Sequence, residues 1–121
     1  MASQPERSIL IVDDEPLIRI NLADFFEEQG YRVFEAEDAE GAIAILEANR
    51  QIRIVLTDVQ MPGSMDGVKL AHFVRDRFPP TVLVVASGAV TLSPDELPPQ
   101  TMFIAKPFDP HFVLGEIERL T

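Results

Sequence analysis

The chain has 121 residues, with ten Lys plus Arg against twenty Asp plus Glu, so its formal net charge is −10. That length suits one domain with a real core, and 46% hydrophobic content argues against a disordered chain. The charge disfavours direct contact with nucleic acid or anionic membrane, zero Cys excludes disulfides and thiolate zinc sites, and no apolar run reaches the ~18 residues of a membrane span.

Residues 1–7 read as a disordered lead-in to a domain over 8–121. The start lacks the basic and apolar stretches of a signal peptide, so the expected location is cytoplasmic. The first apolar run, Ser8–Val12, reads as a strand and ends on Asp13 and Asp14. A helix is predicted over Pro16–Gln29, with Ile18, Leu22, Phe25 and Phe26 on one stripe, Asp14 as its N-cap and Gly30 as its stop. Tyr31–Ala36 is a second strand. Arg32 and Glu35 interrupt its apolar pattern, which fits a sheet edge. Asp38 caps a second predicted helix, Ala39–Asn49, carrying Ala42, Ile43, Ile45 and Leu46.

Ile54–Thr57 is a third strand, ending on Asp58. A helix over Asp66–Phe78 follows, carrying Leu70, Ala71 and Val74 and closed by Pro79 and Pro80. Thr81–Ala86 is a fourth strand, ending on Ser87. Its successor, Gly88–Gln100, breaks the rhythm. Ser93 and Glu96 are spaced as a capping box, but Pro98 and Pro99 follow at once, so about one turn is expected where a full helix is due. Thr101–Ala105 is the fifth strand, ending on Lys106. A last helix, Asp109–Leu120, carries Phe112, Val113, Ile117 and Leu120.

Nearly continuous Val, Ile and Leu runs suit strands covered on both faces. Their alternation with helices predicts an α/β doubly wound, five-stranded parallel sheet in the flavodoxin-like order 2-1-3-4-5, with a shortened or missing fourth helix. Such sheets bind ligands beyond the C-terminal ends of the strands, where the strand order reverses. Asp13, Asp14 and Asp58 then converge, with Lys106 and Ser87 at the same mouth. Three close carboxylates call for compensation, by a hard cation with oxygen ligands such as Mg²⁺ or by the Lys106 ammonium. Carboxylate, cation, ammonium and hydroxyl together suit attack on phosphorus.

Each residue also has a plainer role. Asp14 reads as a cap, Asp66-Gly67 as a cap or turn, Ser87-Gly88 as a turn, and His72 and His111 as helix-surface residues without a role. The acidic stretch Asp24–Glu40 reads as a solvated face. The charge is uneven: residues 1–60 hold thirteen acids and five bases, and residues 61–121 hold seven and five.

Four segments, ILIVDDEP (Ile9–Pro16), LTDVQMPGSMDG (Leu56–Gly67), VVASG (Val84–Gly88) and FIAKPF (Phe103–Phe108), make the chain resemble a response-regulator receiver domain of two-component signalling. The resemblance spans essentially the whole chain. It implies Asp58 as phosphoryl acceptor, and Asp13 and Asp14 as the Mg²⁺ pair, Asp14 the more direct ligand and Asp13 acting largely through water. The Gln60 backbone carbonyl completes the ligands. Ser87 is the implied hydroxyl switch, Lys106 the phosphoryl-contacting lysine with a cis bond to Pro107, and Phe103 the switch aromatic. Gln60 and Ala89 match the positions that tune dephosphorylation.

The implied partners are a sensor histidine kinase or histidine phosphotransferase and an unidentified downstream protein, with no direct nucleic acid or membrane contact. The implied type is a stand-alone receiver with no separate substrate turnover. A phosphorylation-independent pseudo-receiver is the alternative. A substrate phosphatase of the haloacid-dehalogenase type needs a second Asp where Gln60 stands. A cofactor binder is disfavoured by the acidic, Gly-free Asp14-Glu15-Pro16 loop. Two departures from the family pattern stand out: Gly63-Ser64 in place of a single loop residue, and the Pro-rich segment after the fourth strand.

Overall fold

The computed structural model describes residues 7–61, 63, 65–88 and 93–121. Residues 1–6 of the expected lead-in over 1–7 and the tuning position Ala89 lie outside them, as do Pro62, Ser64 and residues 90–92. Arg7 is described; its carbonyl accepts the Arg32 N–H at 2.8 Å, beside the sheet.

Five strands, β1 (Ser8–Val12), β2 (Arg32–Ala36), β3 (Ile54–Asp58), β4 (Val82–Ser87) and β5 (Thr101–Ala105), form one all-parallel sheet in the order β2-β1-β3-β4-β5. The α-helices are α1 (Pro16–Glu28), α2 (Ala39–Ala48), α3 (Gly67–Arg77) and α4 (Pro110–Leu120). Among the described residues, the β4–β5 connection holds a single 3₁₀ turn, Pro94–Glu96, closed by the Glu96 N–H on the Ser93 carbonyl. Pro98 and Pro99 end it as the sequence predicts, since neither can donate a helical hydrogen bond.

Alternation along the central strands divides the core. Leu10, Val12, Val55, Leu83 and Val85 face α2 and α3, packing on Ala42, Leu46, Leu70 and Val74. Ile9, Ile11, Ile54, Leu56 and Val84 face α1 and α4, packing on Phe26, Val113 and Ile117. The central strands are thus buried on both faces, whereas β2 is exposed at Arg32 and Glu35, as its edge position requires.

Helix ends match local chemistry with two corrections. Gly30, with φ of +92°, closes α1: its N–H donates to the Glu27 carbonyl and the Tyr31 N–H to the Phe26 carbonyl. Asp38 and Asp66 accept the Gly41 and Lys69 N–H groups as side-chain caps. Asp14 does not cap α1. The helix starts on Pro16 as predicted, which makes Glu15 the N-cap, and Glu15 makes no side-chain cap bond. In α4, Phe112 and Leu120 were expected inside but are 58% and 51% exposed; Leu114 is buried instead. The α4 surface that meets the sheet is too narrow to cover all four of the predicted apolar positions.

Candidate functional site

The sheet order sets β1 beside β3, so their C-terminal ends bring Asp13, Asp14 and Asp58 together. One carboxylate oxygen from each lies within 4.8 Å of the others. Asp13 is buried, Asp58 half-buried and Asp14 exposed. Lys106 arrives from β5, and its Nζ lies 3.2 Å from both Asp13 Oδ2 and Asp58 Oδ1. One ammonium therefore serves two carboxylates, and the Lys106–Pro107 peptide is cis.

Burial raises the Asp58 carboxyl above its ordinary value of 3.8; Lys106 opposes the rise and Asp13 adds to it. Desolvation pulls Lys106 down, but Asp13 and Asp58 outweigh it, and its net shift is upward from 10.5. Burial thus sets the direction at Asp58, and the two carboxylates set it at Lys106.

Asp13 is held at every polar atom. Its N–H donates to the Ala36 carbonyl at 3.1 Å, and its Oδ1 accepts the Glu15 N–H at 2.9 Å. Its carbonyl accepts from Arg19 Nη1 at 2.9 Å, and its Oδ2 meets Lys106. Asp58 closes β3 and is flanked by a close backbone approach. Gly67, the first residue of α3, donates its N–H to the Val59 carbonyl at 2.8 Å. A Cβ at Gly67 would overlap the Asp58 carbonyl oxygen and sit 2.8 Å from the Asp58 carbonyl carbon and Val59 Cα. Only glycine fits there.

Ser87 ends β4, buried, and its carbonyl accepts the Lys106 N–H at 2.9 Å. Phe103 lies on β5 opposite Val85, 37% exposed, beside a groove bordered by Asp95, Leu97 and Pro99. Gln60 is exposed, two residues after Asp58. Gly63 takes φ of +100°, the left-handed backbone that an added loop residue uses most easily in glycine. His72 and His111 are exposed on their helices, but both have contacts. His72 Nε2 lies 2.8 Å from the Glu96 carbonyl, and His111 packs edge-on against Phe25.

Sequence reasoning named the clustered carboxylates and Lys106 but missed Arg19 and Arg75, and treated Gly67 only as part of a cap or turn. No motif marks either arginine. The visible hint for Arg19 was Glu35, a charge interrupting an apolar strand.

The donor set is all oxygen, anionic and convergent, which fits a hard divalent cation such as Mg²⁺. Asp14 escapes capping duty, so its carboxylate is available to such an ion.

A model of the response regulator receiver domain matches residues 9–118. The chain is 35% identical over 118 residues to transcriptional regulatory protein ResD of Bacillus subtilis (strain 168), an alignment covering 95% of this chain and 48% of that protein. It is 36% identical over 105 residues to sporulation initiation phosphotransferase F of the same organism, covering 84% and 82%. The chain thus spans about half the length of ResD and most of the phosphotransferase. Among solved structures, response regulator protein TrrA from Thermotoga maritima, in complex with Mg(2+)-BeF, superposes with a TM-score of 0.80 at 26% identity, covering 95% of this chain and 99% of that one. The sheet order, the acidic cluster and a family match over nearly every described residue agree: the chain belongs to the response regulator receiver domain family.

Proposed function

We propose that this receiver accepts a phosphoryl group on Asp58 from a phosphohistidine donor, with Mg²⁺ held by Asp13, Asp14, Asp58 and the Gln60 backbone carbonyl. The carrying observation is the convergence of three carboxylates, two of them paired with one lysine, with Asp58 at the end of a central strand. TrrA with its bound Mg(2+)-BeF supports the cation and the phosphoryl-like ligand by likeness. The phosphotransferase and receiver-bearing sensor kinases such as RcsC of Escherichia coli (strain K12), 42% identical over 73 residues, support a histidine kinase or phosphotransferase as the donor.

An Asp58 carboxylate oxygen attacks phosphorus, a P–O bond forms and the donor's P–N bond breaks, its electron pair leaving on the imidazole nitrogen. Bound Mg²⁺ supplies charge neutralisation for the incoming phosphoryl oxygens. Lys106, already 3.2 Å from Asp58, pairs with a phosphoryl oxygen, and Asp13 keeps the lysine in place. Water later attacks phosphorus, the bond from phosphorus to the Asp58 oxygen breaks, and inorganic phosphate leaves with the carboxylate restored. Gln60 and Ala89 are positioned in the chain to govern that step.

The phosphoryl group adds about −1.5 to −2 charge at the mouth of the sheet. Ser87 and Lys106 respond to it, and Phe103 turns from its exposed position toward β4, altering the surface read by a downstream protein. The chain acts on its own carboxylate and turns over no separate substrate. It works in the cytoplasm, and no described helix is long and apolar enough to cross a membrane.

Incubation with a small phosphodonor and Mg²⁺, followed by intact mass, tests the reading. The expected result is one phosphoryl adduct in the wild type and none in Asp58→Asn or without Mg²⁺. An adduct that persists in Asp58→Asn would remove Asp58 from the mechanism.

A further inference from the structure

We propose that Arg19 is a positioning residue that orients the Asp13–Asp14 peptide for the cation, and that Glu35 on the edge strand anchors it. The inference rests on the cation site proposed above. Arg19 sits on α1 with only 16% of its side chain exposed. Its Nη1 donates to the Asp13 carbonyl at 2.9 Å, and its Nε donates to Glu35 Oε1 at 3.1 Å. One planar guanidinium thus ties the β1–α1 loop to β2.

The consequence follows from peptide geometry. The Asp13 carbonyl lies in the same rigid plane as the Asp14 nitrogen and Cα. Holding that oxygen therefore sets the direction in which Asp14 leaves the loop. Asp14 is exposed, and its carboxylate belongs to the convergent oxygen cluster. Without the Arg19 bond its placement falls to the loop alone, and ordering it then costs binding free energy when the cation arrives.

A role as a charge makes the opposite prediction. A guanidinium beside a cation site repels the cation, so removing it should tighten binding. Removing a positioning group should weaken it. Lysine separates the two further, because it keeps the charge but cannot present a rigid fork to two acceptors at once.

The experiment is calorimetric titration of the whole chain with Mg²⁺ alone, in wild type, Arg19→Met, Arg19→Lys and Glu35→Gln. Arg19→Met and Arg19→Lys are each expected to weaken Mg²⁺ binding about 10-fold. Glu35→Gln, which leaves the Asp13 bond and loses only the anchor, is expected to weaken it about 3-fold. Metal-free thermal midpoints should stay close to wild type, and the Glu15 amide, which donates to Asp13, should exchange faster in metal-free Arg19→Met. If Arg19→Met fails to fold, the Glu35→Gln titration decides. Equal or tighter Mg²⁺ binding by Arg19→Met, or wild-type affinity in Arg19→Lys, overturns the positioning role while leaving the cation site intact. A wild type that binds no Mg²⁺ overturns the cation site and the positioning role together.

Discussion

Lys106 sets the balance of the site because it faces two carboxylates at equal distance. Burial first, and then Asp13, hold the Asp58 carboxyl above 3.8 despite that lysine. For a carboxyl raised in the folded state, stability is fully present below the unfolded value and lost as pH rises through the folded one. Lys106→Met removes the opposing charge and steepens that loss. Metal-free Lys106→Met should therefore lose thermal midpoint more steeply than wild type as pH rises above the ordinary carboxylate range, with Mg²⁺ restoring much of it. Thermal scans across that range check the prediction, and a profile parallel to wild type would reject it. Gly67 is the second sensitive residue. An added methyl meets backbone atoms of Asp58 and Val59, which cannot rotate away as a side chain would. Gly67→Ala should cost about 1–3 kcal/mol in denaturant unfolding and also slow phosphoryl uptake at Asp58.

At the scale of elements, the connection between β4 and β5 is the distinctive piece. A 3₁₀ turn offers little apolar surface; Leu97 beside it packs on the core, and α3 adds polar groups that hold the connection. Arg75 Nε and Nη2 donate to the Pro99 and Gln100 carbonyls at 3.1 and 3.2 Å, while Nη1 reaches those of Pro79 and Thr81. His72 adds its contact with the Glu96 carbonyl. Gln100 takes φ of +61°, a left-handed conformation uncommon outside glycine, and its carbonyl is one that Arg75 fixes. Arg75→Ala should speed amide exchange in described residues 95–101 by about 10-fold, equivalent to about 1.4 kcal/mol, with little change in β1 and β3. Uniform acceleration throughout the sheet would instead mean that Arg75 supports the whole fold. The same connection explains why Phe103 is exposed: it shares a sheet face with Val85, but no helix of the described residues covers β5 there.

For the whole molecule, the net charge of −10 now divides by task. Three acids converge at the site, and Glu35 of the acidic stretch holds Arg19, while Asp24, Glu27, Glu28 and Glu37 remain exposed. A divalent ion relieves the repulsion locally and stabilises the folded chain by mass action. At Mg²⁺ about 100 times its Kd the expected gain is about 2.7 kcal/mol. Thermal scans in Mg²⁺, against NaCl of matched ionic strength, should show a rise in wild type that Asp14→Asn largely loses. Equal rises in Mg²⁺ and NaCl would assign the effect to screening.

Much of this was legible in the chain. Strand and helix bounds fall within a residue or so of expectation because apolar period, Gly30 and the proline pairs act locally, and local rules operate before tertiary contacts form. The clustering of Asp13, Asp14, Asp58 and Lys106 was legible because parallel topology sends strand ends to one edge. Asp14 was misassigned as the cap of α1 because a good capping side chain outweighed position: with the helix beginning on Pro16, the N-cap is Glu15. The surface position of Phe112 and Leu120 was not legible, because helical spacing marks a face without saying how wide a neighbour will cover it. Sequence alone therefore determined the fold, the acidic site and the truncated fourth connection, all of which follow from residue type and order. Only the tertiary structure decided which side chains hold the site in place. Arg19 reaches Asp13 and Glu35, Arg75 reaches four carbonyls, and Gly67 meets Asp58 because elements distant along the chain pack side by side, and no local pattern encodes those distances.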